Sequence, residues 1–383
     1  MRYPKKFSQL FLIIGFFFTA CNSSPKYNET DLERESLETV FEVTLPSELG
    51  SDSIVYLEIL DEVTGISLNP ERYKMEPKDD FSLFVRVPFL EGSLVHYRYL
   101  MQSDINQIEH DPNGKQIYYR TYLSDHPDKV QDRISNWVEQ ISSLPTGKIS
   151  GFIYDNQTDL PIRGMNVSIN GIRTVTRSNG YYEINRVPIG EYNIVAFHPD
   201  DLYEPFQQKA IVAENTTTPA SFGLSPANLV KITFNVEVPE NTTKGAPLRL
   251  LGDTFSLGNV ISENTNIESI ISSRAPLMEY LGDRKYSTTL ELPSGADLRY
   301  KYSLGSGFIN AERGSDGSLI THQLIIPKKD VVISNQIASW SSENDSPITF
   351  QISLPDSTPK EDVVSIQLNP FTWLQPIRMW KTE

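Results

Sequence analysis

Apolar and polar residues alternate along this chain in many short runs. The runs FEVTL (41–45), SIVYLEI (53–59), LFVRV (83–87) and KITFNVEV (231–238) place an apolar side chain at nearly every second position. A period of two is typical of a β-strand with one buried face. Glycine and proline interrupt the runs at short intervals, as turns between strands do. The pattern therefore predicts an all-β protein built of tandem β-sandwiches.

The chain also contains an internal repeat. Residues 94–137 align with residues 297–340 without a gap, at a constant offset of 203 residues. The runs VFEVTLP (40–46), TFNVEVP (233–239) and TFQISLP (349–355) share one opening strand, so a third copy begins near the C-terminus. The matched pairs include Tyr97 with Tyr300, Arg98 with Lys301, Tyr99 with Tyr302, Glu109 with Glu312 and Trp137 with Trp340. Such repetition indicates copies of one structural unit.

The repeat divides the chain into predicted units. Because the third copy holds only the first part of a repeat, it is expected to be disordered or loosely attached. We interpret the chain as an incomplete reading frame or a fragment, and a docking strand that ends here is the alternative. The predicted units are a signal peptide at 1–20, an acidic disordered tether at 21–38, a first repeat at 39–140, a different β-sandwich at 147–224, a second repeat at 228–341 and the truncated third repeat at 348–383.

One segment fits two kinds of secondary structure. Val130, Ile134 and Trp137 have the spacing of a helix face. The matching copy, DVVISNQIASW (330–340), alternates like a strand. We follow the repeat and predict a strand at 128–137, with a short polar linker after it.

The N-terminus has the pattern of an export signal. Arg2, Lys5 and Lys6 precede an apolar run over 10–18, which is too short to span a bilayer. The residues FTAC (18–21) resemble the lipobox of bacterial lipoproteins, with phenylalanine where leucine is usual. The resemblance implies that Cys21 is lipidated and that the protein is anchored to a membrane. Asn22, rather than an aspartate, follows the cysteine, and by resemblance to known sorting rules this favours the outer membrane or cell surface. An ordinary secretory signal with an incidental cysteine is the alternative.

Cysteine usage and charge exclude several kinds of function. Cys21 is the only cysteine, so no disulfide and no cysteine-ligated metal site is expected. The formal net charge is −15, with a pI near 4.9. Nucleic-acid binding is disfavoured, because phosphates require a basic surface.

The segment between the repeats has its own pattern. It contains Gly151, PIRG (161–164), NGYY (179–182), VPIG (187–190) and Tyr192. Gly180 follows Ser-Asn, which predicts a tight turn with positive φ. The stretch resembles the carboxypeptidase regulatory-like domains, which are prealbumin-like (transthyretin-type) sandwiches. The resemblance implies a non-catalytic spacer or binding module.

The second repeat resembles the family-20 carbohydrate-binding modules, the starch-binding domains, which are immunoglobulin-like sandwiches. The resemblance is carried by LGN (257–259), PLM (276–278), YSTTLELP (286–293), LRYKY (298–302), Glu312 and Trp340. It implies sugar binding on flat aromatic rings, because the apolar face of a sugar stacks on them. This chain departs from the family at Val260 and Ala311, where the family has stacking tryptophans.

The resemblance supplies candidate sugar-binding residues. Lys301 matches the basic sugar contact of the family, and Trp373 lies one position from its first stacking tryptophan. Strand alternation places Tyr300 and Tyr302 on one face, so we predict both for the core. The other carbohydrate-binding candidates, as a replacement aromatic surface, are Phe308, Tyr280 and Tyr286.

No catalytic or cofactor chemistry is predicted. The chain has no common hydrolase or nucleotide-binding motif, and its five histidines do not fall at metal-ligand spacing. Three hypotheses remain. The modules bind polysaccharide, most simply an α-glucan; or they form a stalk for a C-terminal domain that is not part of this chain; or they are protein–protein adhesion modules.

Overall fold

The computed structural model describes residues 26–27, 36–60, 70–199, 201–261, 268–270, 275–305, 310–340, 350–359, 361–366 and 377–379. Within these residues the secondary structure consists of β-strands and a short 3₁₀ turn at Phe255–Leu257, with no α-helix. The strands form tandem β-sandwiches. The all-β prediction is therefore confirmed.

The first sandwich encloses a core around Phe41, Leu57 and Tyr97. After strand β1 (Lys26–Tyr27), which belongs to the last sandwich, its strands are β2 (Ser36–Thr44), β3 (Ile54–Ile59), β4 (Glu71–Lys74), β5 (Glu76–Asp79), β6 (Ser82–Leu90), β7 (Ser93–Gln102), β8 (Asn106–Ile108), β9 (Arg120–Ser124) and β10 (Lys129–Arg133). The sheets have the orders β10-β2-β6-β5 and β4-β3-β7-β8, with β9 beside β7.

The segment whose spacing fitted either a helix or a strand contains strand β10. Lys129–Arg133 lies parallel to β2, with Val130 opposite Phe41. The strand prediction is confirmed there, and the helical alternative is wrong. Val130 and Ile134 point into the core, which also explains why their spacing resembled a helix face.

The middle sandwich has a separate core around Ile149, Ile153 and Ile194. Its strands are β11 (Thr146–Asp155), β12 (Asn166–Ile169), β13 (Ile172–Val175), β14 (Tyr181–Pro188), β15 (Gly190–Phe197), β16 (Phe206–Val212), β17 (Thr217–Pro219) and β18 (Phe222–Leu224). The sheets have the orders β14-β11-β17, with β18 also beside β11, and β13-β12-β15-β16. Gly180 has a φ of 74°, as its tight turn was predicted to require.

The last sandwich encloses a third core around Phe234, Leu250 and Tyr302. Its strands are β19 (Leu229–Glu237), β20 (Leu248–Gly252), β21 (Asn259–Ile261), β22 (Glu268–Ile270), β23 (Glu279–Gly282), β24 (Lys285–Pro293), β25 (Asp297–Leu304), β26 (His322–Ile325) and β27 (Val331–Gln336). The sheets have the orders β1-β27-β19-β24-β23 and β20-β25-β26, beside a β21-β22 pair. The later strands β28 (Ser365–Ile366) and β29 (Ile377–Arg378) pair with each other.

Part of the predicted tether is structured. Lys26 and Tyr27 lie parallel to Val332 and Ile333 at the edge of the last sandwich. Strand β2 begins at Ser36, before the predicted boundary at 39. The polar composition of 21–38 predicted a tether throughout and so missed both strands, because an edge strand and the first residues of a strand can be polar.

The first and last sandwiches repeat one another, with one local difference from the ungapped alignment. Tyr97 pairs with Arg120, whereas Tyr300 pairs with His322. The equivalent residues Arg120 and His322 are therefore 202 rather than 203 residues apart in the sequence. The offset returns to 203 at β10 and β27. Each sandwich therefore has one extra residue that the other lacks, and the two insertions cancel.

The start of the third repeat is described over residues 350–359, which form no strand. Phe350, Ile352 and Leu354 are about half exposed there. Its apolar alternation thus has no partner sheet among the described residues.

Candidate functional site

The structure places the sequence-derived sugar-binding candidates in different environments. Lys301 and Tyr286 are each 2% exposed, and the Tyr286 hydroxyl donates to the Ala246 carbonyl at 2.8 Å. Tyr280 is half-buried on β23, with its ring 5.0 Å from that of Tyr286. Cys21, Phe308 and Trp373 lie outside the described residues. The structure thus brings Tyr280 and Tyr286 together, and burial argues against a sugar contact at Lys301 or Tyr286.

Ala311, one of the two positions where the resembled family has a stacking tryptophan, is described with its surroundings. Ala311 is buried, with its backbone bridged to Ser303. A tryptophan there would have to displace its neighbours, because a packed interior has no room for the added ring. The stacking position of the family is therefore enclosed in this chain.

A buried polar network ties the strands of the first sandwich together. The hydroxyls of Tyr97 and Tyr99 donate to Asp132 Oδ2 at 2.8 and 2.9 Å. Arg120 donates to Asp132 Oδ1 at 2.8 Å and to Glu109 Oε2 at 2.6 Å. Glu109 Oε1 also accepts the backbone N–H of Tyr99 at 3.0 Å. One cation is thus ion-paired with two carboxylates inside the core.

The network shifts the titration of its members. Burial raises the pKa of Tyr97 and Tyr99 well above the usual value, and the Asp132 charge adds to this. Burial disfavours the charged form of Arg120, but Asp132 and Glu109 outweigh it and raise the pKa of the guanidinium. Arg120 therefore remains a cation in the core.

The last sandwich has the same arrangement with different charges. Tyr300 and Tyr302 are fully buried, and their hydroxyls donate to Asn335 Oδ1 at 3.3 and 2.8 Å. His322 lies 3.0 Å from Glu312 Oε2 and stacks on Tyr300 at 4.9 Å. The prediction that these tyrosines are core residues is confirmed. An amide and an imidazole thus stand where the first sandwich has a carboxylate and a guanidinium.

Sequence analysis missed the partners of the tyrosines. Asp132 on β10 alternates with Val130 and with Ile134, which directly follows the strand, so a charged residue occupied an inward position of the predicted strand. That position was the available signal. The same position in the last sandwich is Asn335, whose uncharged amide oxygen accepts the tyrosine hydroxyls in place of a carboxylate.

The network of the first sandwich continues into the middle sandwich. Asn170 Oδ1 accepts from Arg120 Nη1 at 2.6 Å and from the Arg133 N–H at 2.9 Å. Asn170 Nδ2 donates to the Arg133 carbonyl at 3.1 Å. The next residue, Gly171, has a φ of 78°, and a Cβ added to it would lie 2.8 Å from Ile117 Cδ1. The β12–β13 turn therefore inserts closely into the end of the first sandwich.

Further contacts surround this insertion. Gln207 Oε1 accepts the Leu123 N–H at 3.0 Å, and its Nε2 donates to the Leu123 carbonyl at 3.1 Å. The Arg173 guanidinium lies 3.8 Å from the ring centre of Tyr119. Arg186 Nη2 donates to the carbonyl of Pro112 at 3.1 Å. The two sandwiches are thus joined at several points rather than through one hinge.

The described part of the chain offers neither a metal cluster nor a membrane-spanning helix. It holds no group of three or more His, Cys, Asp or Glu side chains arranged for a metal ion. None of its elements is a helix long and apolar enough to cross a membrane.

No protein-family model matches the chain. No curated protein sequence matches it either. Among solved structures, a streptococcal ancillary pilin matches 79% of this chain and 99% of its own, at 11% identity and a TM-score of 0.26. A family 15 glucoamylase from Hypocrea jecorina matches 30% of this chain and 20% of its own, at 17% identity and a TM-score of 0.23.

A third similar structure is a Bacteroides uniformis protein named as a suspected carbohydrate-binding protein. It matches 47% of this chain and 96% of its own, at 14% identity and a TM-score of 0.18. The chain spans half of the length of one similar structure, a Bacillus anthracis TIE protein, and one fifth of the glucoamylase. These likenesses concern the β-sandwich fold alone.

Proposed function

We propose that this chain is a lipid-anchored, non-catalytic surface protein whose joined β-sandwiches form a rigid spacer that carries polysaccharide-binding faces. The observation that supports the spacer best is the insertion of Asn170 into the buried network of the first sandwich. Two domains joined by a flexible linker would have a small, polar interface. Here the buried guanidinium of Arg120 in one sandwich donates to Asn170 of the next. If the two sandwiches changed their relative orientation, that buried donor would lose its acceptor.

The buried charged groups suit this role better than catalysis. Arg120, Glu109 and Asp132 are paired with one another inside the core, where their side chains are almost inaccessible to a substrate. A glycosidase requires two carboxylates that face each other across an open site. The network instead fixes the positions of strands β7, β9 and β10.

Anchoring is the part of the proposal that rests on the N-terminal sequence. Cys21→Ser removes the thiol that would receive the lipid, so the variant is expected to leave the membrane fraction or to keep its signal peptide. Detergent phase separation of the expressed full chain measures this. Ser24→Ala, a change of similar size nearby, should stay in the detergent phase. A Cys21→Ser protein that is processed and still partitions with detergent would show that no lipid anchor exists.

Polysaccharide binding, with an α-glucan as the first ligand to test, is the other part. We expect the full-length protein to be retained on insoluble starch and released by soluble maltooligosaccharide at roughly millimolar concentration. The weak affinity follows from the enclosed Ala311 and Lys301, which deprive the last sandwich of strong stacking and a charged contact. Cellulose and chitin serve as matched insoluble columns. If none of the three retains the protein, the polysaccharide part is wrong and the spacer alone remains.

A further inference from the structure

The middle sandwich exposes aromatic side chains on the outer face of β11. Phe152 and Tyr154 are 48% and 38% exposed, whereas Ile153 between them is fully buried. Tyr181 on β14 lies opposite Phe152, and the two rings are 5.3 Å apart. The core of this sandwich is complete without these rings. They therefore form an aromatic surface that packing does not require.

A shallow depression of about 400 Å³ adjoins these rings. Polar groups stand at its edge, where the loop after β11 meets the turn before β14. The lining residues are Phe152, Ile153, Tyr154, Asp159, Pro161 and Asn179. This combination of aromatic rings with a carboxylate and an amide suits a ligand that is apolar on one face and carries hydroxyls at its edge.

The surrounding backbone holds the depression in one shape. Asp155 accepts the N–H groups of Gln157 and Thr158 at 2.8 and 2.9 Å, which fixes the loop that carries Asp159. At the facing turn, Asn179 Oδ1 accepts the Tyr181 N–H at 3.2 Å. A Cβ on Gly180 would lie 2.5 Å from the Ile153 carbonyl, so the turn packs directly on the strand. A preformed shape reduces the ordering that binding would require.

The size and charge of this surface select the ligand. A stable protein interface buries about 800 Å² on each partner, which two or three partly exposed rings cannot supply. Anionic ligands are disfavoured, because the chain has a net charge of −15 and Asp159 lines the depression itself. A neutral sugar chain satisfies both limits, since its rings stack on aromatics and its hydroxyls accept and donate hydrogen bonds.

We infer that Phe152, Tyr154 and Tyr181 form a stacking surface for a neutral polysaccharide, with Asp159 and Asn179 binding its hydroxyls. The inference rests on the proposed polysaccharide binding and moves the principal face from the last sandwich to the middle one. Along β11, residues at alternate positions lie about 7 Å apart, which places Phe152 and Tyr154 under successive parts of an extended ligand.

The test compares the full-length protein with its Phe152→Ala/Tyr154→Ala variant on insoluble starch, cellulose and chitin. On the polysaccharide that retains the wild type, the variant should bind about tenfold more weakly or not at all, because it lacks two stacking rings. Phe81→Ala is the control, since Phe81 in the first sandwich is 47% exposed and matches Phe152 in type and exposure. It should bind as the wild type does.

Asp159→Asn keeps the test decisive if the double variant folds poorly. The substitution preserves shape and removes the charge, and we expect about threefold weaker binding with unchanged thermal stability. If the wild type is retained and both variants bind equally well, the site lies elsewhere and the proposed function still stands. If no column retains the wild type, this inference and the proposed polysaccharide binding are both overturned.

Discussion

Arg120→Met should lower the free energy of unfolding of the first sandwich by about 3–5 kcal/mol. The side chain is fully buried and is ion-paired with Glu109 and Asp132, which are also buried. Methionine fills much of the volume but leaves two carboxylates in the core without a cation. A buried carboxylate that has lost its cation is solvated neither by water nor by a partner. The resulting loss of stability is therefore larger than the net stabilisation that the intact ion pair provides.

The measurement must resolve one sandwich from another, because a chain of several domains does not unfold in one two-state transition. Hydrogen exchange of the β2 and β7 amides reports the first sandwich directly. Arg86→Met is the matched control. Arg86 and its partner Glu38 are both more than half exposed, so we expect a change below about 1 kcal/mol.

The same experiment examines the connection between the sandwiches. Arg120 is also the donor to Asn170, so exchange should accelerate in the β12–β13 turn as well as in the first sandwich. A second variant, Asn170→Ala, should accelerate exchange in the turn alone. The amides of β7 should stay protected, because Tyr97 and Tyr99 still donate to Asp132. Unchanged protection of β2 and β7 in Arg120→Met would show that the guanidinium is dispensable and that the buried triad does not hold this sandwich.

Period-two alternation predicts on which face of a strand a side chain lies, but it does not predict how exposed that face is. Period-two alternation correctly identified the strands and placed Tyr300 and Tyr302 on a common inward face. It could not predict that Lys301, on the opposite face, is also buried. Both faces of β25 are buried at this point, and a pattern within one strand assigns sides without giving exposure.

Other features depend on positions far apart in the chain. The ungapped repeat hid two compensating insertions, because only the pairing of Arg120 with Tyr97 and of His322 with Tyr300 reveals the local shift. The hydrogen bonds of Asn170 to Arg120 and Arg133 join residues of two sandwiches, and no pattern in a single sequence connects them. The aromatic surface, in contrast, had a visible signal. In GFIYD (151–155), Phe152 and Tyr154 flank the inward Ile153 and so had to point outward.

Gly151 supports the strand that carries this surface, and Gly151→Ala should destabilise the middle sandwich by about 3 kcal/mol. A Cβ at this position would lie 1.9 Å from the Ala220 carbonyl oxygen and 2.4 Å from its carbon. These are backbone atoms, so they cannot turn aside as the end of a side chain can. The methyl group must push the segment between β17 and β18 away from β11, which breaks the hydrogen bond from the Ala220 N–H to the Ser150 carbonyl.

Gly164→Ala provides the matched control within the same sandwich. Gly164 has a φ of 83° and no atom within 4 Å of an added Cβ, so the substitution introduces backbone strain without a collision. That strain should cost about 1–2 kcal/mol. Hydrogen exchange of the β11 amides measures both variants. Gly151 is not among the residues with positive φ, so its substitution costs the collision alone, which we expect to exceed the strain at Gly164. If the β11 amides are protected as well in Gly151→Ala as in Gly164→Ala, β17 and β18 do not approach β11 this closely, and Phe152 and Tyr154 stand on a looser strand than the structure shows.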